Sequence, residues 1–122
     1  MNIRVRNRLI QYARTNSNPV TYQRLITEAE LGLNVDISHE KAMLGEILAE
    51  ISIKEHEQGR PLLSAMVQER SNKGQGDAFY KLCETLGYGD WRELKKDKDF
   101  MENHRNMCRE FWSQEENFEK YI

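Results

Sequence analysis

Apolar residues recur at helical spacing almost from the first position of this chain. Over residues 2–15 (NIRVRNRLIQYART) two templates compete. Ile3 and Val5 alternate with Arg4, Arg6 and Arg8, as on a half-buried strand, whereas Val5, Leu9, Tyr12 and Ala13 fall at i, i+4, i+7 and i+8, as on a helix face. The helical template accounts for more residues, so a helix is expected, broken by Asn16-Ser17-Asn18-Pro19. Thr21 then reads as an N-cap, with Val20 and Leu25 as a hydrophobic staple around it and Gly32 closing the helix near residue 31. Ser38 reads as the cap of a longer helix over 39–58, with Leu44, Ile47, Leu48 and Ile51 facing inward and Gly59 and Pro61 as its stop.

Leu62 to Val67 is short, apolar and bounded by turn formers, which predicts a strand. Ser71-Asn72-Lys73-Gly74 is expected to turn it back into a small hairpin. Asp77 reads as the cap of a short helix whose stripe is Phe79, Leu82, Cys83 and Leu86, ending at Gly87. Asp90 and Glu93 match the cap and N3 positions of a capping box. They open a last helical region with Trp91, Leu94, Phe100, Met101, Met107, Cys108, Phe111 and Trp112, broken near residues 95–99. Three helices, a hairpin and then more helix is the order of a winged helix, whose second and third helices form a helix-turn-helix. The expected fold class is mainly α with a small β-hairpin, in a single domain over 1–122: a winged-helix-like core over 1–76 and a C-terminal helical extension over 77–122.

Composition alters this picture little. A chain of 122 residues, 39% hydrophobic and 31% charged, suits one globular domain. No run approaches the ~18 consecutive apolar residues of a membrane span, and the N-terminal stretch lacks the apolar core of a signal peptide. Cys83 and Cys108 both sit in apolar helical patterns and read as buried, reduced thiols. A cytoplasmic location is expected.

Charge is segregated. Residues 1–24 hold five arginines and no acid, whereas residues 25–57 hold eight acids against Lys41 and Lys54. The basic segment can attract a polyanion or lie against the acidic segment of its own chain, and the second reading is favoured.

Val20-Thr21-Tyr22-Gln23-Arg24-Leu25-Ile26, Leu44-Gly45-Glu46-Ile47-Leu48, Pro61-Leu62-Leu63-Ser64-Ala65-Met66-Val67 and Gly74-Gln75-Gly76 together resemble the winged-helix domain of the alkyltransferase-like DNA repair proteins, over residues 4–80. That resemblance implies a winged-helix architecture. The family's reactive centre is a Pro-Cys-His-Arg-Val run; Pro61-Leu62-Leu63-Ser64-Ala65 stands there, with neither thiol nor histidine, so alkyl transfer at that site is excluded. Nearly the whole chain also resembles a group of small uncharacterised bacterial proteins with a GRPLLSA–KGxG–F pattern and an aromatic-rich C-terminal helix. That second likeness implies no activity.

The candidate chemistry is sparse. A phosphate loop needs Gly-Lys-Ser/Thr at the helix entry or a third glycine at the right offset, but Lys73 precedes Gly74-Gln75-Gly76 and Asp77 stands where the anion would sit. His104 and Cys108 are four apart on one helix, yet neither CxxC nor HExxH is present, so no metal or cofactor is expected. Nothing places Ser64 on a nucleophile elbow. Along 39–58, Glu40, Glu46, Glu50, Glu55 and Glu57 outnumber Lys41 and Lys54, and most of these glutamates fall outside the apolar stripe. An acidic recognition helix opposes major-groove docking, where affinity comes from Lys and Arg releasing counterions. The expected function is therefore a non-catalytic cytoplasmic binding module, an adaptor or regulator working through a protein partner or self-association. Glu46, Glu50, Phe118 and Tyr121 are its candidate contacts. The alternative is duplex DNA binding through the basic N-terminal helix and wing, by Arg4, Arg8, Arg60, Arg70 and Lys73.

Overall fold

The computed structural model describes residues 1–69 and 76–122. Its elements run α1 (Ile3–Arg14), β1 (Val20–Thr21), α2 (Tyr22–Glu28), α3 (Ser38–Glu57), a 3-10 segment (Leu63–Met66), β2 (Val67–Gln68), α4 (Asp77–Thr85), α5 (Trp91–Lys96), α6 (Phe100–Trp112) and α7 (Glu115–Tyr121). The fold is mainly helical with a very small sheet, as the hydrophobic pattern predicts. Residues 3–14 take the helical alternative and bury Val5, Leu9, Ile10, Tyr12 and Ala13. Thr21 caps α2 by accepting from the Arg24 backbone N–H at 3.2 Å. Asp90 likewise caps α5, accepting from the N–H groups of Arg92 and Glu93. No helix among the described residues is long and apolar enough to cross a membrane.

Several local expectations are corrected. Ser38 and Asp77 are first helical residues rather than caps; Ile37 and Gly76 occupy the N-cap positions, without a side-chain bond. The α2 helix ends at Glu28, three residues early, because Glu30 and Gly32 both turn to positive φ.

The largest correction concerns 62–67. In place of a strand over the whole stretch, residues 63–66 form a 3-10 turn, and the strand is limited to Val67 and Gln68. These two pair in parallel with Val20 and Thr21. The returning limb expected of the hairpin falls on residues 70–75, outside the described residues. A 3-10 turn brings side chains at i and i+3 onto one side. Leu63 and Met66 accordingly join the main core with α1, α2, α3 and Trp112, while Leu62 and Ala65 join a second cluster with Phe79, Tyr80, Cys83 and Met101. Buried on both sides, the segment has no strand among the described residues bonding the carbonyls of Leu62 and Ala65. Side chains of α6 do so instead: Arg105 Nε donates to Ala65 O at 2.9 Å and Cys108 Sγ to Leu62 O at 3.3 Å. From α3, Ser52 Oγ accepts from the Ser64 N–H at 3.1 Å. The C-terminal helices therefore complete the core around this segment.

The second cluster encloses His104, which is 4% exposed. The rings of Phe100, Tyr88 and Phe79 stand 4.6, 5.1 and 5.8 Å from its imidazole, and its Nδ1 has no hydrogen-bond partner among the described residues. Burial lowers the pKa of this histidine below its ordinary 6.5. Because the folded value lies below the unfolded one, the stabilisation from a neutral His104 is complete above pH ~6.5 and is lost as pH falls towards the folded value. Unfolding free energy measured between about pH 7.5 and 5 should decline with pH, and His104→Leu should flatten that slope. An unchanged slope in the variant would remove His104 as the cause.

Candidate functional site

The arginines read as possible nucleic-acid contacts are largely spent within the chain. Arg4 meets Ala29 O and Glu30, and Arg8 Nη2 lies 3.0 Å from Glu28. Glu28 also accepts the Tyr12 hydroxyl and pairs with Arg24, and these bonds, the tyrosine's first, hold its carboxyl below the usual range. Arg60 is nearly covered: its Nε lies 2.5 Å from Glu55, and its guanidinium sits over the Tyr121 ring. Arg6 Nε lies 2.6 Å from the other oxygen of Glu55. The basic N-terminal segment thus does lie against the acidic one. Glu55 is a correction to the expected exposed glutamates, since it is wholly buried between two guanidinium groups. Arg70 and Lys73 lie outside the described residues.

The four residues read as partner contacts divide into two groups. Phe118 and Tyr121 pack back on the main core. Arg14 stacks on the Phe118 ring at 3.8 Å, Tyr121 stacks on Phe111, and Arg6 Nη2 donates to Tyr121 O at 2.7 Å. Glu50 pairs with the amino group of Met1 at 3.1 Å. Glu46 is exposed and has no ion pair among the described residues.

Glu46 stands instead on the rim of a groove of about 530 Å³. The core stripe of α3 (Leu44, Leu48, Ile51, Glu55) faces inward, and a second stripe about a quarter-turn away (Ser38, Lys41, Ala42, Gly45, Ala49) faces the groove. Ala78, Phe79 and Leu82 of α4 form one wall, Tyr22 of α2 the other, and Leu48 and Ser64 also line the space. Burial pushes the Tyr22 hydroxyl up to about 12, so it keeps its proton at neutral pH. Lys41 Nζ and Glu69 Oε2 close one end at 3.1 Å. The carboxylate of Glu69 lies hard against Gly76, where a Cβ would collide with it. A carboxylate thus already sits beside the α4 N-terminus, the end at which a phosphate loop would hold its anion.

Gly45 is the residue of the floor that sequence reasoning passed over. A glycine inside a helix costs about 0.5–1 kcal/mol relative to alanine. A Cβ built at Gly45 meets nothing within 4 Å, so no packing inside the described chain requires its absence. Gly45→Ala should therefore raise the unfolding free energy by about 0.5–1 kcal/mol in a denaturant titration. A loss of stability would mean that the groove floor is packed more closely than the structure has it.

The remaining titratable candidates are structural in their placement. Burial pushes both Cys83 and Cys108 thiols up to about 12, and both cysteines are free. Ser64 Oγ is 2.7 Å from Ser52 Oγ, in the interior. Among the described residues no group of three or more His, Cys, Asp or Glu side chains converges to hold a metal ion. The fold and groove define a mainly helical domain with one apolar trench along its longest helix. No family model, no curated protein and no solved structure matches this chain.

Proposed function

We propose that the protein is a non-catalytic binding module that engages a protein partner through the groove between α3 and α4. The observation that carries this reading is the combination of an apolar trench, a floor without a side chain at Gly45, and on its rim the carboxylate of Glu46, which has no ion pair among the described residues. Apolar surface supplies the association energy and the rim charge selects the sign of the partner. A cytoplasmic adaptor or regulator is the role this reading supports. Photo-crosslinking in the producing cells tests it. A benzoylphenylalanine at position 42, in the floor, should trap a defined partner, whereas one at position 119, on the exposed side of α7, should not. The reading fails if position 42 traps nothing or both positions trap the same set.

The electrostatics disfavour duplex DNA as the partner. Arg4, Arg8 and Arg60 lie against Glu30, Glu28 and Glu55, so their charges are matched before any phosphate arrives. A labelled duplex titrated at low salt is expected to show no saturable binding; a steep salt-dependent affinity would reverse that expectation.

A further inference from the structure

The groove's surroundings narrow what can occupy it, and the inference drawn from them rests on the reading of the groove as the docking site. Its floor is α3 and one long wall is α4, and the backbone groups of both are bonded within their own helices. An extended segment laid along α3 and α4 would have no strand to pair with in either helix, and its N–H and C=O groups there would be left unmatched against apolar side chains. A helix arrives with its backbone already bonded. The floor residues Ala42, Gly45 and Ala49 follow one another at helical spacing, so the trench runs parallel to α3 from about Ser38 to Ala49. At 1.5 Å per residue that is about 17 Å, or roughly three turns of a partner helix. Interaxial distance is set by the side chains at the crossing, and with no side chain at Gly45 the partner axis can come close.

Charge supplies the second constraint. Lys41 and Glu69 neutralise each other at one end, which leaves Glu46 as the charged rim group without an ion pair among the described residues. We propose that the occupant is an amphipathic α-helix of a partner protein, seated along α3 with its apolar face against Gly45, Phe79 and Leu82 and a lysine or arginine on its flank facing Glu46. The mid-helix glycine then has a use that the fold alone does not provide: it admits the partner's closest turn.

The test uses the isotope-labelled full chain and three probes, followed by backbone amide shifts. The first is a peptide of about 16 residues, long enough to hold a helix, with a Leu/Ala face and lysine flanks. The second is its glutamate-flanked twin, and the third is octylammonium, a small apolar cation. The lysine peptide should shift Ala42, Gly45, Glu46 and Leu82 saturably, at least about three-fold more tightly than its twin. Gly45→Leu should abolish those shifts while leaving the far-ultraviolet spectrum and melting temperature of a folded domain. Glu46→Gln, which leaves the trench shape intact, should erase the preference between the twins. Equal affinity for both peptides in the wild type would overturn the charge assignment. A groove that responds to octylammonium but to neither peptide would overturn the helix inference and leave the groove standing as a binding site. Shifts confined to other faces, with all three probes, would overturn both.

Discussion

Replacing Glu55 with alanine should cost about 3–5 kcal/mol of unfolding free energy, among the largest effects of any single substitution in this chain. Glu55 is wholly buried and accepts from Arg6 Nε at 2.6 Å and Arg60 Nε at 2.5 Å, one guanidinium on each oxygen. Arg6 is itself 5% exposed and also holds Tyr121 O, so the carboxylate lies at the crossing of α1, α3 and the C-terminal helix. Assembling these charges largely away from water brings little net gain, but deleting the anion strands buried Arg6 and the largely covered Arg60 without a counter-charge. Glu55→Gln retains acceptor capacity and should lose less. Arg6→Met combined with Glu55→Ala should recover part of the single-variant loss, because one stranded charge has gone. Equilibrium denaturation settles the matter: a loss of under about 1 kcal/mol for Glu55→Ala would show that water reaches the guanidinium groups.

Trp112→Ala should be of similar size, about 3–5 kcal/mol, the usual range for removing a buried tryptophan. Trp112 is 0% exposed and is among the largest of the fully buried side chains. Its ring packs edge-on to Phe111 at 5.0 Å and beneath the Arg6 guanidinium, and its carbonyl accepts from Arg14. Loss of the indole opens a cavity in the core that Trp112 shares with α1 and the 3-10 segment. Trp112 and its α6 neighbours also bear on domain organisation. A fragment ending at residue 76 lacks Arg105, Cys108 and Trp112, so it leaves the Ala65 and Leu62 carbonyls and the core face of α1 uncovered. It should show no cooperative unfolding transition by circular dichroism. A folded 1–76 fragment, or Trp112→Ala within about 1 kcal/mol of wild type, would restore the picture of an independent N-terminal core with an appended extension.

What was legible, and what was not, divides by the range of the interaction concerned. Thr21 and Asp90 are correctly read as caps because a cap bonds backbone two or three positions away. Ser38 and Asp77 look the same in the sequence, but the chain enters those helices one residue earlier and their side chains form no cap. The groove is half legible. The acidic exposed character of Glu46 follows from the helical wheel, whereas the wall formed by Ala78, Phe79 and Leu82 depends on α4 folding back beside α3. Glu55 carried a signal that could have been used: it stands four residues after Ile51, within the apolar stripe. Among the candidate contacts, Phe118 and Tyr121 read as free for a partner because their neighbours, Arg14 and Arg6, lie about a hundred positions earlier in the chain.

The helices from α1 to α6, most of their inward faces, two of their caps and the segregation of charge are legible in the amino-acid order, since each depends on residues within about four positions of one another. Long-range packing sets the rest: Leu63–Met66 turns as a 3-10 segment between two apolar clusters, β1 and β2 run parallel, and five N-terminal arginines are matched by glutamates of α2, α3 and α7 and the Ala29–Glu30 turn. A buried segment takes the conformation in which its backbone can be bonded and both of its faces covered, and the groups that do this here come from α3 and α6.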